Sequence, residues 1–159
     1  MKDPKWQRIS RSLPAALVMA WLVIAPALVR ANAEQADFTY AGGTESIQNG
    51  CEGKLELADD AMTFQCPQAS VTIPYHSITR MEYRPKVSRA VRRMKLPWKV
   101  KPSGSGGKSN LFFTVLFNQG GSTQAIVLRV LPREMRPYLA QIELSTGKRI
   151  AVWDYRGYD

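Results

Sequence analysis

The chain contains a single histidine, His76, and only two cysteines, Cys51 and Cys66, among 159 residues. That scarcity narrows the chemistry. One histidine and two cysteines make a poor zinc set, so a metal centre of the usual kind is not expected. No internal repeat or low-complexity block is present, which argues against a solenoid or a fibrous chain. Acidic residues are missing where basic ones are densest: between Arg80 and Lys108 there are ten Lys and Arg, and Glu82 is the only carboxylate.

The N-terminus has the layout of a secretory signal peptide over residues 1–33. Lys2, Lys5, Arg8 and Arg11 form a basic start, Leu13 to Val29 is an uncharged apolar run, and Ala31-Asn32-Ala33 is a small-x-small cleavage pattern. An uncleaved membrane anchor is the alternative, but 17 uncharged residues interrupted by Pro14 and Pro26 are a short and poor span. No cysteine stands directly after the run, so a lipid-modified terminus is not expected. The expected location is therefore the periplasm or the extracellular space, after cleavage near Ala33. Of the 22 basic and 13 acidic residues, five and one lie in this segment. Seventeen then stand against twelve, so the remaining chain carries +5, where the full chain carries +9.

Two cysteines in an exported chain point to a disulfide. Lys54-Leu-Glu-Leu57 and Met62-Thr-Phe-Gln65 alternate polar and apolar about Ala58-Asp-Asp-Ala61, which reads as a hairpin. A hairpin centred near residue 59 brings positions 51 and 66 almost opposite each other, within bridging distance. Two free thiols are the competing reading.

Residues 34–49 read as a polar lead-in with one short strand at most, around Phe38 and Tyr40. Val71, Ile73 and Tyr75 share one face at period 2, and after His76-Ser77 the apolar phase moves to Ile78, Met81 and Tyr83. A phase shift implies a bulge, a bend or a change of strand. Residues 111–117 are a strongly apolar strand, 118–122 a turn, and 124–131 the returning strand. The stretch from Pro132 to Gly147 has helical spacing at Tyr138, Leu139 and Ile142. With Pro137 placed near the first turn, the helix proper is expected at about 136–146. Ile150 to Tyr155 adds a last short strand before the tail, the segment 150–159.

Consecutive hairpins followed by one helix predict a mainly β fold, either a small, partly open antiparallel barrel or twisted sheets. The run Gly53-Lys-Leu-Glu-Leu, Met62-Thr-Phe, Val71-Thr-Ile-Pro-Tyr-His-Ser-Ile78, Phe113-Thr-Val-Leu-Phe117 and Ile126-Val-Leu-Arg-Val130 resembles pleckstrin-homology-like and GRAM-like domains. The segment Tyr138 to Gly147 is similar to their closing helix, which plugs one end of the barrel. The resemblance covers about residues 50–149 and rests on hydrophobic spacing, not on a signature motif. It implies a non-catalytic scaffold for lipids, peptides or proteins, here in an exported bacterial protein.

An insertion, residues 85–110, interrupts this domain. The span from Arg80 to Lys108 holds a local balance of +9, leaving about −4 for the rest of the exported chain. Within it Val87, Ala90, Val91 and Met94 fall at i, i+3, i+4 and i+7, one apolar face of a short helix of roughly ten residues between Pro85 and Pro97. Arg89, Arg92 and Arg93 take the opposite side, and Trp98 sits among Lys95, Lys99 and Lys101. Either the basic face is only solvated, or it meets an anionic partner such as lipid headgroups, an envelope polymer or an acidic protein. Nucleic acid is not expected, because no recognition motif is present and the compartment lacks it.

The string Pro102-Ser-Gly-Ser-Gly-Gly-Lys-Ser109 imitates a phosphate-binding loop. The motif needs glycine where Pro102 stands and a helix where a strand follows, so no nucleotide or other cofactor is expected. His76 beside Ser77 or Tyr75 would suit a small envelope hydrolase, but no orienting carboxylate is near in sequence, and no catalytic residue is assigned. A structural subunit of an envelope assembly is the third reading.

Overall fold

A computed structural model describes residues 36–102 and 110–153. The expected signal segment with residues 34–35, residues 103–109, and residues 154–159, which include the end of the expected last strand, lie outside the described residues. Eight strands and two helices follow in chain order. These are β1 Phe38–Gly43, β2 Glu52–Leu57, β3 Ala61–Cys66, β4 Ala69–Pro74, β5 Ile78–Arg84, α1 Arg89–Arg93, β6 Leu111–Gln119, β7 Ser122–Val130, α2 Pro132–Thr146 and β8 Ile150–Val152.

The strands form one open, mixed sheet in the order β4-β3-β2-β1-β7-β6-β5-β8. Every pairing is antiparallel except β8 on β5. The expected hairpin registers as Leu57 opposite Met62 and Lys54 opposite Gln65. That places the Cys51 and Cys66 Cα atoms 6.2 Å apart, joined by a disulfide. Gly53 must be glycine here, since a Cβ would stand 2.2 Å from the Gln65 carbonyl oxygen. The phase shift at residues 76–77 is a change of strand: Tyr75–Ser77 forms a single 3-10 turn from β4 into β5. A further register shift between Ile78 and Arg80 then brings Met81 and Tyr83 inward beside Ile78.

Strand β1 holds the middle of the sheet, with Phe38 and Tyr40 fully buried at period 2. Strand β6 is buried on both faces, as its unbroken apolar run requires. Phe113, Val115 and Phe117 enter the main core with Phe38, Tyr40, Phe64, Met81, Tyr83, Ile126 and Leu128. Phe112 and Leu116 point the other way, into a second apolar cluster. Gly120 and Gly121, with φ of 58° and 76°, close the β6–β7 hairpin in a conformation that side chains disfavour.

Two helix boundaries differ from expectation. Helix α2 begins at Pro132 rather than 136, and Pro137 lies inside it. Pro137 gives up one internal hydrogen bond. Packing outweighs that loss, because Met135, in the first turn, and Ile142 are both fully buried. Tyr138 sets its ring edge-on to Phe38 at 5.3 Å. The helix stops where expected, at Gly147 with φ 64°. Helix α1 has five residues instead of about ten. Met94 already has extended backbone, and the chain from there runs across the sheet to Gly43 instead of continuing to coil. Ala90 is exposed and Met94 is 41% exposed, so only Val87 and Val91 of the four-residue apolar face are buried.

Candidate basic cleft

The insertion is fastened to the outer face of the sheet in three ways. Its apolar side chains come first. Val87 and Val91, with half-buried Leu96 and Trp98, cover Phe112, Leu116, Ala125, Val127 and Ala41. Trp98, expected among the contact residues, thus packs against this apolar cluster, although it is not fully enclosed.

The second fastening is backbone. Gly43 N–H donates to the Val100 carbonyl at 3.0 Å, and Lys99 N–H donates to the Gly43 carbonyl at 2.9 Å. This bridge requires close approach at Gly42, where a Cβ would stand 2.6 Å from the Val100 oxygen. Next to it, Thr44 holds both the N–H and the carbonyl of Ala125 through its hydroxyl, so β1 is locked to β7 where the insertion crosses.

The third is Glu82, which is 1% exposed on β5. Arg80 Nε donates to Glu82 Oε1 at 2.7 Å, and Ser88 Oγ donates to the same oxygen at 3.0 Å. Ser88 also caps α1, accepting from Val91 N–H at 3.2 Å. The lone carboxylate of the basic span therefore faces outward from the sheet, where it holds the first residues of the insertion. Arg84 lies further off, its Nε 4.0 Å from Glu82 Oε2, and that buried nitrogen has no hydrogen-bond partner.

With the apolar side anchored, the cations face solvent. Arg89, Arg92, Arg93, Lys95, Lys99 and Lys101 are all exposed. Among the described residues none of the six forms an ion pair. They do not form one cluster. A cleft of about 470 Å³ is lined by Arg84, Lys86, Arg89 and Arg92, with Val87 and Trp153 as its apolar walls and, among the described residues, no carboxylate in its lining. Arg89 and Arg92 belong to it, whereas Arg93, Lys95, Trp98, Lys99 and Lys101 do not line it.

Four members of the cleft, Arg84, Lys86, Ser88 and Trp153, are not marked out by any local sequence pattern. Arg84 and Lys86 lay within the basic run but were counted only as charge. Trp153 enters through β8: Tyr83 pairs with Val152 in parallel, and Trp153 N–H donates to the Tyr83 carbonyl at 3.0 Å. That contact sets the indole, 56% exposed, beside Arg84.

His76 is exposed on its turn. Its neighbours are engaged elsewhere, Ser77 Oγ donating to the Pro74 carbonyl at 2.7 Å and Tyr75 hydroxyl to the Ala58 carbonyl at 2.8 Å. Among the described residues no three of His, Cys, Asp or Glu group as metal ligands, and no helix is long and apolar enough to cross a membrane. No family model matches the chain, and no curated protein matches it.

Proposed function

We propose that the protein is a non-catalytic, exported binding module whose basic insertion docks on an anionic surface, foremost the headgroups of acidic phospholipids. One observation carries this reading: the insertion buries Val87 and Val91 on the sheet and presents six exposed cations that form no ion pair among the described residues. A merely solvated loop has no need of such an anchor. Each Lys or Arg close to an anionic bilayer contributes about 1 kcal/mol, so the set suffices for reversible, salt-sensitive attachment.

The disulfide supports an oxidising destination. The successive meanders β1–β4 and β5–β7, followed directly by α2, support a pleckstrin-homology-like architecture. Exposed His76, with the Ser77 hydroxyl turned to a backbone carbonyl, favours a binding role over a hydrolase.

Co-sedimentation with phosphatidylglycerol–phosphatidylcholine vesicles tests the proposal. Binding is expected to weaken steeply with added salt. Replacing Arg89, Arg92 and Arg93 together by Ala is expected to weaken it roughly tenfold or more. Binding indifferent to both changes overturns it, and capture by an acidic polymer or protein instead would move the function to that partner.

A further inference from the structure

We infer that the cleft between the end of β5, the start of the insertion and the end of β8 is a seat for one phosphate ester. Arg84, Lys86, Arg89 and Arg92 would grip the phosphoryl oxygens, and Trp153 and Val87 would cover the apolar part of the molecule beside them. This deepens the proposed docking on an anionic surface and rests on it for the sign of the ligand.

The first argument is charge concentration. Four cations line one cleft of about 470 Å³, and among the described residues no carboxylate lines it. Their mutual repulsion is relieved by an anion held between them. A single carboxylate brings one charge and two oxygens. A phosphate monoester brings roughly −1.5 to −2 and three acceptor oxygens, a closer match to several donors.

The second is the state of Arg84. Arg80 and Ser88 both use Glu82 Oε1, and Arg84 is left at 4.0 Å from Oε2 with its buried Nε lacking a hydrogen-bond partner. Glu82 therefore positions Arg84 without saturating it. Nε is itself enclosed, but the side chain is 34% exposed, so the terminal nitrogens of its planar guanidinium can meet two phosphoryl oxygens of a ligand in the cleft.

The third is Trp153. A tryptophan 56% exposed is out of place as packing, yet its backbone is fixed by the bond to the Tyr83 carbonyl. An open indole, carried on a hydrogen-bonded backbone beside a cationic cleft, is a platform for the apolar portion of a ligand. The chemistry therefore calls for an ester rather than bare phosphate. Phosphatidate, whose headgroup is a phosphate monoester, and a soluble phosphate monoester both satisfy it, and the experiment separates them.

The full chain is titrated with glycerol 3-phosphate and with sodium acetate by calorimetry, and with phosphatidate–phosphatidylcholine vesicles by co-sedimentation. Expected are saturable one-to-one binding of glycerol 3-phosphate, no binding of acetate, and competition between glycerol 3-phosphate and the vesicles. Arg84→Gln and Arg92→Gln should each weaken glycerol 3-phosphate roughly tenfold, the loss of one charge-assisted contact. Trp153→Ala should weaken the phosphatidate vesicles. The Arg92 side chain is exposed and forms no ion pair with Glu82, so its variant reports on the seat even if Arg84→Gln perturbs the fold. The pair Lys99→Gln and Lys101→Gln, outside the cleft, should leave glycerol 3-phosphate binding unchanged while lowering vesicle binding. If glycerol 3-phosphate does not bind, or binds equally after Arg92→Gln, there is no seat; vesicle binding that still falls with salt then leaves the general docking surface standing. Glycerol 3-phosphate binding without vesicle binding supports the seat, assigns it to a soluble ester, and overturns the membrane reading.

Discussion

Ser88 donates its hydroxyl to Glu82 Oε1 at 3.0 Å while accepting from the N–H of Val91. One side chain thus ties the first turn of α1 to the sheet. Because Arg80 occupies the same carboxylate oxygen, a change at Glu82 loosens strand and insertion together. Glu82→Ala leaves the Ser88 donor and the Arg80 charge without their partner. We expect a stability loss of about 1–3 kcal/mol, the usual cost of an orphaned buried polar group, read from urea denaturation. We also expect faster trypsin cleavage within residues 84–101. Glu82→Gln retains an acceptor for Ser88 and should fall between Ala and the natural residue. Unchanged cleavage in the Ala variant would show that the insertion is held by its apolar contacts alone.

Gly42 makes a different demand. Its φ is 148°, and an added Cβ would meet both Val100 O at 2.6 Å and Pro102 N at 2.9 Å. Backbone atoms cannot step aside as a flexible side chain can. Gly42→Ala should therefore cost on the order of 1–3 kcal/mol in backbone strain and should detach the Val100 bridge. Gly121, at φ 76° but with nothing within 4 Å, is the control. Gly121→Ala should cost only about 1 kcal/mol and leave proteolysis of the insertion unchanged. Equal effects in the two variants would disprove a role for close approach.

The cysteine pair closes the loop between residues 51 and 66 at the end of the β2–β3 hairpin. In the chain-entropy account a loop of about 16 residues is worth roughly 3 kcal/mol. Cys51→Ser with Cys66→Ser should lower stability by about that amount. It should leave glycerol 3-phosphate binding by the cleft unchanged, because no lining residue comes from this hairpin. Loss of that binding in a folded double variant would mean that the two ends of the sheet are coupled.

Local pattern carried the hairpins, the disulfide and the C-terminal stop of α2, because each depends on neighbours in sequence: alternation at Leu55, Leu57, Met62 and Phe64, and the αL position at Gly147. It also placed the charge in one insertion. It did not carry the shape of that insertion. Val87, Ala90, Val91 and Met94 have helical spacing, but Gly43, distant in sequence, competes for the chain and ends α1 at Arg93. The cleft was legible only in part for the same reason. Arg89 and Arg92 were visible as a basic face, whereas Trp153 reaches them through a parallel pairing of β8 with β5 that no short-range pattern announces.

Tyr40 supplies an alkaline prediction. Its side chain is fully buried and its hydroxyl donates to the Glu45 carbonyl at 3.2 Å. Burial, with a smaller contribution from the Glu45 charge, raises its pKa from 10.0 to about 12. The unfolded chain loses this proton near pH 10, whereas the folded protein keeps it until about 12. In that interval the unfolded state binds fewer protons, so stability falls as pH rises. The contribution is fully present below pH 10 and gone once the pH has passed the folded value. Burial also raises Tyr75 and Tyr138, so they slope the same way. Tyr40→Phe should cost about 1 kcal/mol near neutrality, for the lost hydrogen bond. It should also flatten the decline between pH 10 and about 12, narrowing the gap from the natural protein as pH rises. Urea midpoints measured across that interval check this. A gap that stays constant would mean that the Tyr40 hydroxyl titrates alike in the folded and unfolded chains.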